Sequence, residues 1–341
     1  MTRPPENPRK PMRRAVALTI AALTAACGGN KPITAEEARS ALPQAEQAQV
    51  ALPSGTASAL TVSSNTALTV SSATDVTAPA GSAGYAHASF ALATLVNGGV
   101  GATLLVVRAV SVLPPTSCEG DTCTWGPGSG ALELNDWRLT VSKLDDHYEW
   151  ALAGRPKNNQ AVGFVTVVSG NAFPTSQPLV GHGDLLADFD ASAKLAHWSD
   201  DALPQGKITA QYDTRSGRQV SAQFLGMRDD TAPTQTVNAA YAYQDTSAGG
   251  DLQVAIHNLG TTAELTLHTR WTSTGSGRGD ASYTDPLATY TQSQCWDGPA
   301  STPPFLLTFQ VSSPAQPGDT GGDPTVLCAF PSAQAPSIPT P

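Results

Sequence analysis

From residue 131 onward apolar and polar positions alternate with a period of two. Tyr148, Trp150 and Leu152 alternate with Glu149, and Ile208, Ala210 and Tyr212 with Lys207, Thr209, Gln211 and Asp213. The same phase recurs in Val237–Tyr243, Leu252–Ile256, Leu265–Trp271 and Phe305–Val311. Each such run is a strand with one buried and one wet face. Turn compositions separate them, as at Thr214-Arg215-Ser216-Gly217, Ser247-Ala248-Gly249-Gly250 and Thr274-Gly275-Ser276-Gly277. Short links make neighbours antiparallel. The expectation is a mainly β chain, an antiparallel meander of about ten strands.

A different pattern precedes the strands. Tyr85 to Leu113 is the most apolar stretch, with only His87, Asn97 and Arg108 strongly polar. Its length also suits a membrane span, but Asn97-Gly98-Gly99 and Gly101 interrupt it. It reads as a buried helix, or as two half-helices hinged at 97–101. A helix apolar all round must be enclosed. A one-sided meander must in turn cover its apolar face, so the sheet is expected to curl into a barrel or half-barrel around this segment. Strands of seven to nine residues and a Pro-rich end argue against an outer-membrane barrel.

The N-terminus reads as an export signal. Residues 1–14 hold five basic residues and one acid, and the small, apolar run Ala15 to Ala26 follows. That is a basic segment and a short hydrophobic segment ahead of a cleavage site. Leu23-Thr24-Ala25-Ala26-Cys27 resembles a lipobox, with Thr24 where Leu is commoner. Cys27 would then carry acyl chains that hold the protein to a membrane. Gly28 after it, in place of Asp, favours the outer membrane. Met12 is an alternative start.

Residues 27–84 then form a tether, a short helix and a Ser/Thr/Ala-rich spacer. Thr34 and Glu37 form a capping box, starting a helix near Ala35 that is disturbed at Pro43. Ala-Leu-Thr-Val-Ser-Ser occurs at 59–64 and again at 67–72. Residues 85–330 hold the helix and the β domain, and 331–341 are a disordered Pro-rich tail.

Composition and charge narrow the function classes. Charged residues are 14% of the chain and the net charge is −9. Removing residues 1–26 leaves −13, which disfavours nucleic acid and anionic lipid surfaces as partners. Beyond Cys27, four cysteines remain. An even remainder in an exported chain reads as disulfides: Cys118 with Cys123 across a turn, and by elimination Cys295 with Cys328. A four-cysteine zinc site is the competing arrangement, but neither pair has the usual two-residue gap.

Candidate chemistry is sparse. No nucleophile elbow, zincin helix or phosphate loop is present, and Gly126-Pro127-Gly128-Ser129-Gly130 reads as a turn. His182, Asp184, Asp188 and Asp190 have even spacing, which would put them on one strand face. Their carboxylates suit Ca²⁺ or acid–base work, but a solvated edge-strand face is the plainer reading. His257 and His268 read as surface histidines on adjacent strands. Trp137, Trp150 and Trp271 follow the apolar phase and read as core. Arg278-Gly279-Asp280 is too short a match to mean integrin binding. No residue is assigned to catalysis, metal or cofactor.

Several segments together resemble a group of uncharacterised envelope lipoproteins of delta-proteobacterial type. They are Val96-Asn97-Gly98-Gly99-Val100, Cys123-Thr124-Trp125-Gly126-Pro127, Asn135-Asp136-Trp137-Arg138-Leu139, His147-Tyr148, Gly181-His182-Gly183 with Asp188-Phe189-Asp190, Gly277-Arg278-Gly279-Asp280-Ala281, and Cys295-Trp296 with Cys328-Ala329-Phe330. The likeness covers about residues 90–330. It implies an envelope lipoprotein with a Cys295–Cys328 bridge, and no activity. The functional expectation is a lipid-anchored protein that binds an apolar ligand or acyl chain in its curved sheet. The alternative is a structural or protein-interaction component of the envelope, without a small-molecule ligand.

Overall fold

The computed structural model describes residues 32–56, 78–130, 133–197, 205–228, 235–259 and 263–334. The export signal, Cys27 and the 59–72 repeat lie outside these residues.

The strands are β1 (Ser117–Glu119), β2 (Thr122–Gly128), β3 (Asn135–Lys143), β4 (Tyr148–Pro156), β5 (Val165–Pro174), β6 (Gly181–Asp188) and β7 (Lys207–Asp213), then β8 (Gln219–Arg228), β9 (Thr236–Asp245), β10 (Gly249–Leu259), β11 (Ala263–Thr272), β12 (Gly277–Thr284), β13 (Thr289–Trp296) and β14 (Leu307–Ser313). They form one antiparallel sheet in strict chain order, fourteen strands where the periodicity indicates about ten. The sheet is open, with β1 and β14 as its edges. At the β14 edge the amides of Thr320 and Gly321 both donate to the Gln310 carbonyl, and the Ser312 amide donates to Asp319 Oδ2 at 3.1 Å. That cover satisfies ladder groups that an exposed edge would offer to another chain.

One face of the sheet is continuous core. Leu139 pairs with Leu152, Leu185 with Ala210, Ala222 with Tyr241 and Val254 with Leu267, all buried. Space is shared by size: a Cβ on Gly170 would meet the Trp150 ring at 2.9 Å, and one on Gly277 the Trp296 ring at 2.6 Å. Trp150 and Trp271 are buried, and Trp137 is partly so.

Among the described residues, three α-helices precede or interrupt this sheet and a fourth follows it: α1 (Ala35–Ala41), α2 (Gly84–Val112), α3 (Phe189–Ser192) and α4 (Pro324–Leu327). α2 is one continuous helix through 97–101, with no hinge. It contacts β3 and also β11, β12 and β13, so it lies across the core face. Its N-terminal half supplies Ala86, Phe90, Ala93 and Val96 to the core, with Phe90 edge-on to Trp271 at 5.3 Å. Gln294 starts it, its Oε1 accepting from the Tyr85 amide at 3.0 Å.

Residues 33–56 belong to the same core and are more than a tether. Ile33, Ala38, Leu42, Ala48 and Val50 pack in its main cluster. The segment runs back along α2: Arg39 donates to the carbonyls of Ser111 and Leu113, and Val50 exchanges two hydrogen bonds with the Asn97 side chain. The Thr34 hydroxyl caps α1 by accepting from the Glu37 amide. The Glu37 carboxylate does not return to the cap; it pairs with Lys143 at 2.6 Å and accepts from the Tyr148 hydroxyl.

Both disulfides form, Cys118–Cys123 and Cys295–Cys328. The second draws residues 328–334 onto the outer face of the sheet. Residues 331–334, assigned by composition to the tail, are bound there: Arg278 donates to the Pro331 carbonyl at 2.7 Å and Arg270 to that of Ser332 at 2.7 Å.

Candidate functional site

The acidic set of residues 182–190 does not share one strand face. β6 ends at Asp188, and α3 begins there. Asp188 Oδ1 accepts from the Ala191 amide at 2.8 Å and its other oxygen pairs with Lys207 at 3.0 Å. Burial pushes its carboxyl up, but the amide and Lys207 outweigh that and hold it below the ordinary carboxylate value. Asp190 accepts from the Gly206 amide. Both acids therefore secure the turn into β7, where N-capping explains them without a metal. Only His182 and Asp184 remain on the outer face. Among the described residues no cluster of three or more His, Cys, Asp or Glu side chains is placed to hold a metal ion.

That outer face carries a groove of about 570 Å³ over β6–β10. Register brings its lining together: His182 lies opposite Asp213, Asp184 opposite Gln211, Gln211 opposite Ser221, and Asp251 opposite Gln244. These are the polar partners of the alternation whose apolar members face α2. A further depression of about 440 Å³ continues along Thr209, Gln223 and Ala240 and shares Asp184, Gln211, Ser221 and Ala242 with the first.

An aromatic stack closes one end of the groove. The rings of His147, Phe173 and His182 lie on three successive strands or their hairpin, at 4.8 and 4.4 Å between centroids. His182 Nδ1 is buried and has no hydrogen-bond partner. Nearby carboxylates are held in place. Asp184 accepts from the Asn171 amide group at 3.1 Å. Arg215 grips Asp213 and holds its carboxyl down to about 2. Asp251 accepts from His268 Nε2 at 2.9 Å.

His268 is accordingly not a surface residue; it is buried where the C-terminal segment crosses β11. It makes no cross-strand pair with His257, which bonds Glu264 instead. Next to it lies the cluster least visible in the sequence. Arg270, Arg278 and Asp280 are buried on the outer face, and Asp280 pairs with both arginines at 3.2 and 2.8 Å. Buried charge persists only when paired and hydrogen-bonded, and the backbone carbonyls of residues 330–332 complete the set. The Arg278-Gly279-Asp280 tripeptide is thus an internal brace in β12, not a presented loop. The Cys295–Cys328 spacing was the one sequence signal for it. Gly126-Pro127-Gly128 ends β2 and is not a separate loop.

Among the described residues, the two cavities on the core face are small. Between α2 and the sheet, cavities of about 30 Å³, beside Leu95 and Tyr241, and about 40 Å³, beside Val100 and Leu185, remain. Small-ligand pockets commonly measure roughly 300–1,000 Å³. No protein-family model, no curated protein and no solved structure matches this chain.

Proposed function

We propose that the chain is an exported protein, anchored to the bacterial envelope (the outer membrane) by acyl chains on Cys27, that acts by binding and not by catalysis. In this reading the sheet curls as a half-barrel around α2, and the binding surface is the polar groove over β6–β10. The observation that carries it is the contrast in free space: about 570 Å³ on the outer face against about 30 and 40 Å³ beside α2. Amide, hydroxyl and carboxylate groups line the groove, which suits a polar, hydrogen-bonding ligand. Two disulfides support an oxidising compartment.

Photo-crosslinking in intact cells tests this. A photoreactive residue replaces Gln244 in the groove of one variant and Leu95 beside α2 in another. Adducts from position 244 alone support the groove. An adduct from position 95 alone favours an apolar ligand held inside. A protein adduct at 244 makes the ligand a partner chain, the structural or interaction role. Adducts at neither position overturn the reading.

A further inference from the structure

The C-terminal half of α2 is uncovered on one side. Ala102, Leu105, Val106, Ala109, Val112 and, at the C-cap, Leu113 recur at helical spacing and are exposed. Leu105 is 66% exposed, Val106 46%, Val112 70% and Leu113 62%. Single exposed apolar residues are ordinary, but a contiguous stripe marks a contact surface. Arg108 is exposed within the same turns.

The position of the N-terminus says what covers the stripe. The described chain starts at Pro32, where the Ile33 amide donates to Gly120. Within two turns Arg39 is bonded to the carbonyls of Ser111 and Leu113, at the exposed end of α2. Trp125 also donates to Leu113, from the β2 strand beside Gly120. Four residues separate Cys27 from Pro32, and the five links span at most about 18 Å. A lipid on Cys27 therefore holds this end of α2 close to a bilayer.

Residues 57–77 are too short to reach the far end of the stripe, at Val112 and Leu113. They leave the described chain near Pro299 and return near Pro303, at the other end of α2, where the Ala83 amide donates to Phe305. Fully extended, the 22 links from residue 56 to residue 78 reach about 79 Å, short of the about 84 Å needed out and back to Val112, although Leu105, about 63 Å out and back, lies within that length.

We infer that the exposed stripe of α2, from Leu105 to Leu113, is a membrane-contact surface that lies in the interfacial layer of the bilayer carrying the Cys27 anchor. The inference rests on the anchor proposed above. The apolar side chains enter the headgroup–acyl boundary as those of an interfacial amphipathic helix do. Arg108 stays at phosphate level, its stem lying along the apolar surface. The helix does not span the membrane, because Phe90, Ala93 and Val96 are committed to the protein core.

The test uses the full chain, purified with its native N-terminus and reconstituted on vesicles of phosphatidylethanolamine and phosphatidylglycerol. Bimane is attached in separate samples at Val112→Cys, Leu105→Cys and Gln244→Cys, and vesicles with doxyl-labelled acyl chains quench it. Mass spectrometry reports acylation of Cys27, and far-UV dichroism reports folding. The expected result is at least threefold stronger quenching at 112 and 105 than at 244. Equal quenching at all three sites, on protein whose Cys27 is acylated, overturns the membrane contact and leaves the anchor standing. Concentration-dependent crosslinking between labelled helices without lipid quenching also overturns it, in favour of a second copy of the chain. An unmodified Cys27 overturns the anchor, and this inference with it.

Discussion

Within α2, residues 84–96 and residues 100–112 are similarly apolar, yet they meet different surroundings. Phe90, Ala93 and Val96 are sealed against Trp271, Phe305 and the central strands. Leu105 and Val112, about one and about three turns past Gly101, face outward. Composition alone does not separate the halves. The partner does: the first half lies over β11–β13, whereas the second buries Leu104 and Val107 and sets Val100 and Thr103 beside Leu185 and Ile208, but leaves the side that carries Leu105 and Val112 uncovered. An apolar helix therefore need not be enclosed along its whole length, provided that something else covers the remainder.

The largest expected effect comes from the sealed half. Phe90→Ala should cost about 3–5 kcal/mol in denaturant unfolding, from lost transfer energy plus a cavity that the sheet cannot close. A loss under 1 kcal/mol would mean that the first half is not core. The junction of the halves comes next. Asn97 accepts from the Val50 amide at 2.7 Å and donates to its carbonyl at 2.8 Å. Asn97→Ala should cost about 1–3 kcal/mol, since it strands two backbone groups. Unchanged stability would detach residues 43–53 from the account.

A smaller effect follows pH. His87 is buried against Phe305, and burial holds its imidazole below the ordinary 6.5, despite a backbone bond at Pro304 that raises it. A folded value below the unfolded one makes the contribution present above about 6.5 and lost as pH falls through the folded value. Melting temperatures measured from pH 8 to 5 should therefore fall more steeply for the native chain than for His87→Gln. Parallel curves would show that His87 protonates freely, and so is not buried. The smallest effect belongs to the open half: Leu105→Ser should change stability by no more than about 0.5 kcal/mol. A loss comparable to that of Phe90→Ala would erase the contrast.

The legible strands were those whose inward positions are large and apolar. β4, β7, β9, β10 and β11 show that alternation plainly. β12 and β13 do not, because Gly277 and Gly279 make room for Trp296 and Tyr85, and Gln294 turns inward to bind the start of α2. Small or polar inward residues blank the period without breaking the strand. In β14 a bulge opposite Cys295 and Trp296 leaves Leu307 with the core, whereas Phe309 joins Cys295 and Cys328 on the other face. The even run Phe305–Val311 hides this change of face. For the groove, the sequence shows each polar residue but not the register that collects them from five strands. The acids at 188 and 190 share the spacing of His182 and Asp184, yet the chain leaves the strand at Asp188.

The account rests on α2 being a fixed part of the core and not a displaceable plug over a ligand cavity. Native-state hydrogen exchange, followed amide by amide in increasing denaturant, measures this directly. If the helix is fixed, the amides of residues 88–96 exchange only through global unfolding, with the same opening free energy as Leu139, Leu185 and Val254 in the sheet. If those helix amides open together at a free energy several kcal/mol below the sheet, α2 is a gate, and the interior is where the protein binds.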